Sequence, residues 1–198
     1  MKNVLALVAV AGLAGVASAQ TATMTVTANG SGAISVAPGA SVAIAATCVW
    51  GGAVQFAGVA GSINVSGNAG AGSGFTSDFA AGALVNLGAF NGGSRQGMDI
   101  AVTPAFFTGG FIAPPSGNTT LNIGSYSLDT TGLAPGVYNV DFAASALAPN
   151  VRLFPSLQSP AFVEAQTTYR GATIEIIPAP ASLALVGLGG LVAGRRRR

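Results

Sequence analysis

The 198-residue sequence contains no histidine. That removes histidine-based triads, Cys–His pairs, histidine acid/base chemistry and the common zinc sites together. It contains one cysteine, Cys48, so an intramolecular disulfide is impossible and the thiol is either buried or paired outside the chain. Cys48 continues the alternation Val42, Ile44, Ala46, which places it on an apolar strand face and predicts an inert, buried thiol. Charge is also scarce: Lys, Arg, Asp and Glu make up 7% of the residues, so surface polarity has to come from Ser, Thr, Asn, Gln and the main chain. The six carboxylates, Asp78, Asp99, Asp129, Asp141, Glu164 and Glu175, stand singly. A glycosidase needs two of them across a cleft, and no spacing announces such a pair. Asn91 and Asp99 are too sparse for a calcium loop, and the glycine runs lack the Lys-Ser/Thr ending of a phosphate loop. No enzyme, metal or cofactor is expected.

What is present lies first at the two ends. Lys2 precedes an apolar stretch over 4–16, and Ala17-Ser18-Ala19 then offers the small-x-small pattern of a signal peptidase site, with cleavage before Gln20. At the other end, 181–194 carries no charge and is followed by Arg195, Arg196, Arg197 and Arg198. Fourteen helical residues rise about 21 Å, short of a hydrocarbon core of about 30 Å. Lengthening the span backwards would bury Glu175 and cross Pro178 and Pro180, which is costly at membrane depth. The terminal arginines act as a basic stop and set the orientation, with the body of the chain outside and the arginines in the cytoplasm.

Pro178-Ala179-Pro180, the short apolar segment and the arginine cluster, behind an N-terminal signal peptide, resemble the PEP-CTERM sorting signal of Gram-negative bacteria. The resemblance implies an exosortase-type enzyme as partner, transient residence in the inner membrane, and delivery to the cell surface or extracellular matrix. Ala179 stands where that family has glutamate, and the resemblance covers only 178–198. An ordinary C-terminal transmembrane anchor is the alternative reading of the same residues.

Without these address segments the charge balance reverses. Residues 20–177 keep Arg95, Arg152 and Arg170 against six carboxylates, a net charge of −3. The overall pI near 9.1 comes from the tail, and a basic nucleic-acid face has no support. About 158 residues suffice for one domain with its own core.

The periodicity of that domain is two throughout. Threonines alternate with Ala22, Met24, Val26 and Ala28. Strands are expected over 33–37, 41–50, 53–57, 62–66, 84–90, 98–103 and 168–177, with turns at Asn29-Gly30, Pro38-Gly39 and Asn91-Gly92-Gly93. The glycine- and serine-rich stretch 67–82 reads as a long loop anchored by Phe75 and Phe79. Residues 128–144, LDTTGLAPGVYNVDFAA, resemble the turn and strand around the tyrosine corner of fibronectin type III and other immunoglobulin-like sandwiches. There a tyrosine near the strand start bonds back to upstream main chain, which gives Tyr138 a structural role.

The fold class expected is therefore all-β, a single immunoglobulin-like or Greek-key sandwich over 20–177, flanked by a signal helix and a short transmembrane helix. The expected role is a structural or adhesive one at the surface or in the matrix, with exopolysaccharide or matrix proteins as further partners. A secreted carbohydrate-binding module is the alternative, its aromatic platform being Phe106, Phe107 and Phe111 or Tyr126. Asn29, Asn64 and Asn118 each begin an N-x-Ser/Thr triplet, a pattern that arises readily by chance in a Ser/Thr-rich chain.

Overall fold

Alternation decides the architecture. In β1 (Thr21–Ala28) and β3 (Ser41–Trp50), each second residue is buried and the intervening ones face solvent. The computed structural model describes residues 20–51, 55–103, 120–155 and 161–178. The remaining strands are β2 (Ala33–Val36), β4 (Gln55–Val65), β5 (Ala71–Thr76), β6 (Val85–Asn91), β7 (Ser94–Ala101), β8 (Thr120–Asp129), β9 (Gly136–Ala144), β10 (Arg152–Phe154), β11 (Val163–Glu164), β12 (Gln166–Arg170) and β13 (Ala172–Ile176).

They form two sheets. One has the order β12-β1-β3-β8-β5; the other follows β11-β10-β4-β9-β13-β2, with the β6–β7 hairpin joined to β4. The apolar faces meet in a single core. Met24, Val26, Ile44, Cys48 and Leu121 come from the first sheet, and Phe56, Ile63, Ile100, Val140 and Ile174 from the second. This is the two-sheet sandwich that the period of two predicts. The expected signal and transmembrane helices fall outside the described residues. Among the described residues no helix is long and apolar enough to cross a membrane.

The chain changes sheets many times, and two of these crossings belong to its terminal strands. Main chain at Asn29 and Gly30 turns left-handed, with φ of 49° and 76°, the two-residue turn for which Asn-Gly is suited. Beyond it β2 enters the second sheet. The second crossing falls at Gly171, between β12 and β13. The two crossings lie side by side: β12 pairs with β1 in parallel, and β13 with β2 in parallel. The stretch expected as one strand over 168–177 is therefore two strands in two sheets.

Three other expectations are corrected. The strands expected over 53–57 and 62–66 are parts of a single strand, β4, although 52–54 lie outside the described residues. The hairpin strands extend further toward their turn than expected, to Asn91 and Ser94, with Gly92-Gly93 between. The presumed loop over 67–82 contains β5, an edge strand whose Ala71, Gly72 and Ser73 pair with Asp129, Leu128 and Ser127. Glycine suits this place because Phe90 lies where a side chain at Gly72 would stand. Phe79 is buried and Phe75 half-buried, so both anchor the stretch as its sequence indicates.

Tyr138 behaves as its resemblance implies. Its hydroxyl donates to the Ala134 carbonyl at 3.0 Å, four residues upstream. The bond is exposed, so Tyr138→Phe is expected to lower stability by about 1 kcal/mol or less. In urea titration this would appear as a lower midpoint with an unchanged slope.

Candidate functional site

Of the residues singled out at the ends, Gln20 and Pro178 are described; Ala17, Ala19, Ala179, Pro180 and Arg195 to Arg198 lie outside the described residues. Gln20 accepts a main-chain bond from Gln166 at 2.7 Å, and Ile177 donates one to Val36 at 3.0 Å. Among the described residues these two bonds tie down the main chain next to the expected cleavage point and the expected tripeptide. Residues 166–176 run beside 21–36 from first contact to last. At about 3.3 Å per residue, the two exits lie up to about 33 Å apart, at opposite ends of the sandwich.

The aromatic platform assigned to Tyr126 does not exist. Tyr126 is only 4% exposed; its hydroxyl donates to Gly93 at 2.7 Å and its ring packs edge-on against Phe90. Burial raises its pKa, because a phenolate there would lose its hydration. Phe106, Phe107 and Phe111 lie outside the described residues. Phe90 and Phe75 enclose Arg95, whose guanidinium carbon sits 4.2 Å from the Phe75 ring centre and 4.7 Å from that of Phe90. The Arg95 Nε donates to Leu87 at 2.8 Å. This cation holds β5 of one sheet against β6 and β7 of the other, a packing role.

Cys48 is fully buried, and burial pushes its thiol up to about 12, which makes it unreactive at neutral pH. Five of the carboxylates are engaged locally. Asp78 accepts from the Asn122 amide at 2.7 Å, and Asp129 accepts from the amide and hydroxyl of Thr131. Glu164 accepts from Asn150 and Glu175 from Ser35. Asp99 faces Arg152 at 3.7 Å. Among the described residues no group of three His, Cys, Asp or Glu side chains could hold a metal ion.

Asp141 is the exception, and it marks a surface that the sequence reading missed. It projects from the outer face of β9, directly across from Asn64 of β4. With Ser66, Asn68, Gln96 and Asn139 they line a depression of about 360 Å³. Two sides of it are fixed by hydrogen bonds. Ser66 accepts from the Asn139 amide at 2.8 Å and donates to its carbonyl at 3.2 Å. Gln96 donates to Asn68 and accepts from Asn91, both at 3.2 Å. Further along the same three strands, Ser62, Gly97, Asp99, Ala143 and Ser145 line a second depression of about 440 Å³. The outer face of β4, β7 and β9 thus carries a trough of two depressions, the first lined by amide, hydroxyl and carboxylate groups and the second largely by glycine, alanine and Met98, with no nucleophile and base brought together in either.

No family model and no curated protein sequence matches this chain. Its fold is similar to that of the seventh ScaB type I cohesin from Pseudobacteroides cellulosolvens, with a TM-score of 0.51 at 9% identity, covering 80% of this chain and 94% of that one. A type II cohesin domain from the cellulosome of Acetivibrio cellulolyticus matches at 0.46 and 10% identity, over 77% of this chain and 95% of that one. The sixth cohesin of scaffoldin B from Acetivibrio cellulolyticus, solved in complex with a Cel5 dockerin mutant, matches at 0.48 and 10% identity over 79% and 99%. At these identities the likeness is one of fold: a cohesin-like β-sandwich.

Proposed function

We propose that the chain is an exported structural and adhesive module of the cell surface or extracellular matrix, non-enzymatic, delivered through its C-terminal tail by an exosortase-type enzyme. The observation that carries this reading is the fit between the folded body and the two address segments. Among the described residues, main-chain bonds at Gln20 and Ile177 tie the sandwich together right beside the expected signal cleavage point and the Pro178-Ala179-Pro180 motif. While the tail is in the membrane, the sandwich would stand on its Ile177 end with its long axis away from the bilayer. The low charge of the body supports close association with neighbours, since like-charge repulsion between modules is weak. A cohesin-like sandwich, whose outer sheet faces are free of catalytic groupings among the described residues, suits adhesion better than turnover.

The test is the intact mass of the protein recovered from the cell surface. The expected mass lacks both Met1 to Ala19 and Arg195 to Arg198. A surface-located species that still carries all four arginines would reduce the tail to an ordinary anchor and remove exosortase-type processing from the account.

A further inference from the structure

We propose that the trough on the outer face of β4, β7 and β9 binds a neutral or amino-sugar saccharide through Asn64, Asn68, Asn139 and Asp141. This deepens the adhesive reading and rests on it only for where the ligand is met. The argument begins with unspent hydrogen-bonding capacity. Among the described residues the side-chain amides of Asn64 and Asn139 and the carboxylate of Asp141 have no hydrogen-bond partner, unlike the other five carboxylates. An amide offers donors and acceptors together, which matches a row of sugar hydroxyls, each of which is both.

The groups are also held in place. Asn64 and Asp141 sit opposite each other in the β4–β9 ladder, on strands about 4.8 Å apart. Asn68, on the rim, has a left-handed φ of 54°, and its carbonyl is tied to the Gly93 amide at 3.1 Å. Both depressions fall within the size range of small-molecule clefts. Lying along the same three strands, they accommodate a chain of sugars rather than a single ring.

Charge and apolarity select the ligand class. No lysine or arginine lines either depression; Asp141 lines the first without a counter-ion, while Asp99 of the second is paired with Arg152. An acidic polysaccharide would be repelled; a neutral hexose or a protonated amino sugar would not. The only apolar residue of the first depression, Val65, is buried at 2% exposure, so the large apolar anchor that dominates protein–protein contacts finds no pocket there. Recognition by hydrogen bonds exchanged for water is weak per site, and a Kd on the order of 1 mM is expected. Repetition of modules along a polymer would raise the avidity.

Affinity electrophoresis of the full chain in mild detergent tests this with four immobilised probes: dextran, galactomannan, chitosan oligosaccharide and alginate. The expected result is retardation by at least one neutral or amino-sugar matrix. Asn64→Ala combined with Asn139→Ala should weaken it at least tenfold at an unchanged melting temperature, while Thr168→Ala, on the opposite sheet, should behave as the parent. Asn64→Asp, nearly isosteric, guards against a folding artefact and should weaken dextran or galactomannan binding several-fold. Retardation by alginate alone, by none of the four, or undiminished in the variants overturns the proposal. The outcome is independent of the mass measurement: a protein that binds dextran but keeps its arginines refutes the processing and leaves the saccharide site standing.

Discussion

Between pH 9 and pH 12 the folded protein is expected to lose on the order of 4 kcal/mol of stability through one buried thiol, with a further loss from a buried tyrosine. Burial moves Cys48 from 9.0 to about 12, and each unit is worth about 1.4 kcal/mol. Below about pH 9 the thiol is neutral in both the folded and the unfolded chain, and the contribution is complete. Above it, the unfolded chain releases a proton that the folded one retains, so stability falls with rising pH until the folded pKa is passed. Tyr126, also raised by burial above its ordinary 10.0, adds a loss of the same sign from about pH 10. Urea midpoints measured from pH 8 to pH 11 should decline from pH 9 onward. In Cys48→Ala, which starts lower because a small cavity is left, they should stay level to about pH 10. A parent protein with a level midpoint to pH 11, or a variant that declines in parallel with it, would sink the assignment.

The position of that thiol was legible because β1 and β3 alternate without interruption, and their buried positions are those that the period of two selects. Legibility failed where glycine was read as punctuation. Gly58 and Gly61 fall in the gap between the strands expected over 53–57 and 62–66, yet both lie inside β4. A side chain at Gly58 would meet the Ile100 carbonyl, and one at Gly61 would lie 2.5 Å from the Ala143 carbonyl. Here glycine records the close approach of neighbouring strands, which only the tertiary pairing creates. Gly171 hides a change of sheet in the same way.

Tyr126 was misread for a related reason. Leu121 and Ile123 point inward, and strict alternation from them would turn Tyr126 outward. The β3–β8 register shifts between Ala46 and Thr47, opposite the Asn122–Gly124 stretch, and beyond the bulge Tyr126 and Leu128 are the buried residues. One irregular residue exchanges the two faces of a strand. The trough was hidden by distance: Asn64 and Asp141 meet only through the long-range pairing of β4 with β9. The local signal was present, since Asn139 and Asp141 alternate with the inward Val140 and Phe142, but it marks any solvent-facing strand and carries no sign of a partner.

The other large effect belongs to Phe56. Replacement by alanine is expected to lower stability by about 3–5 kcal/mol, a large share of the roughly 5–15 kcal/mol typical of a domain. Its ring is completely buried and stands between Trp50, at 5.9 Å between centres, and Phe79, at 5.4 Å. Trp50 ends β3 in the first sheet, Phe56 is the second residue of β4 in the second, and Phe79 follows β5, so this cluster of tilted rings ties both sheets to the connection between β5 and β6. A ring removed there leaves a void lined by two other rings, which cannot collapse without shifting both strands. Phe56→Leu, which retains most of the volume, should cost about 1–2 kcal/mol. The alanine variant should show a lower urea midpoint and faster proteolysis within 77–84, because Phe79 loses the ring against which it is packed. A global loss of stability with no local change in cleavage would place Phe79's anchorage elsewhere. A loss below about 1 kcal/mol would mean that the sheets are held together without this cluster.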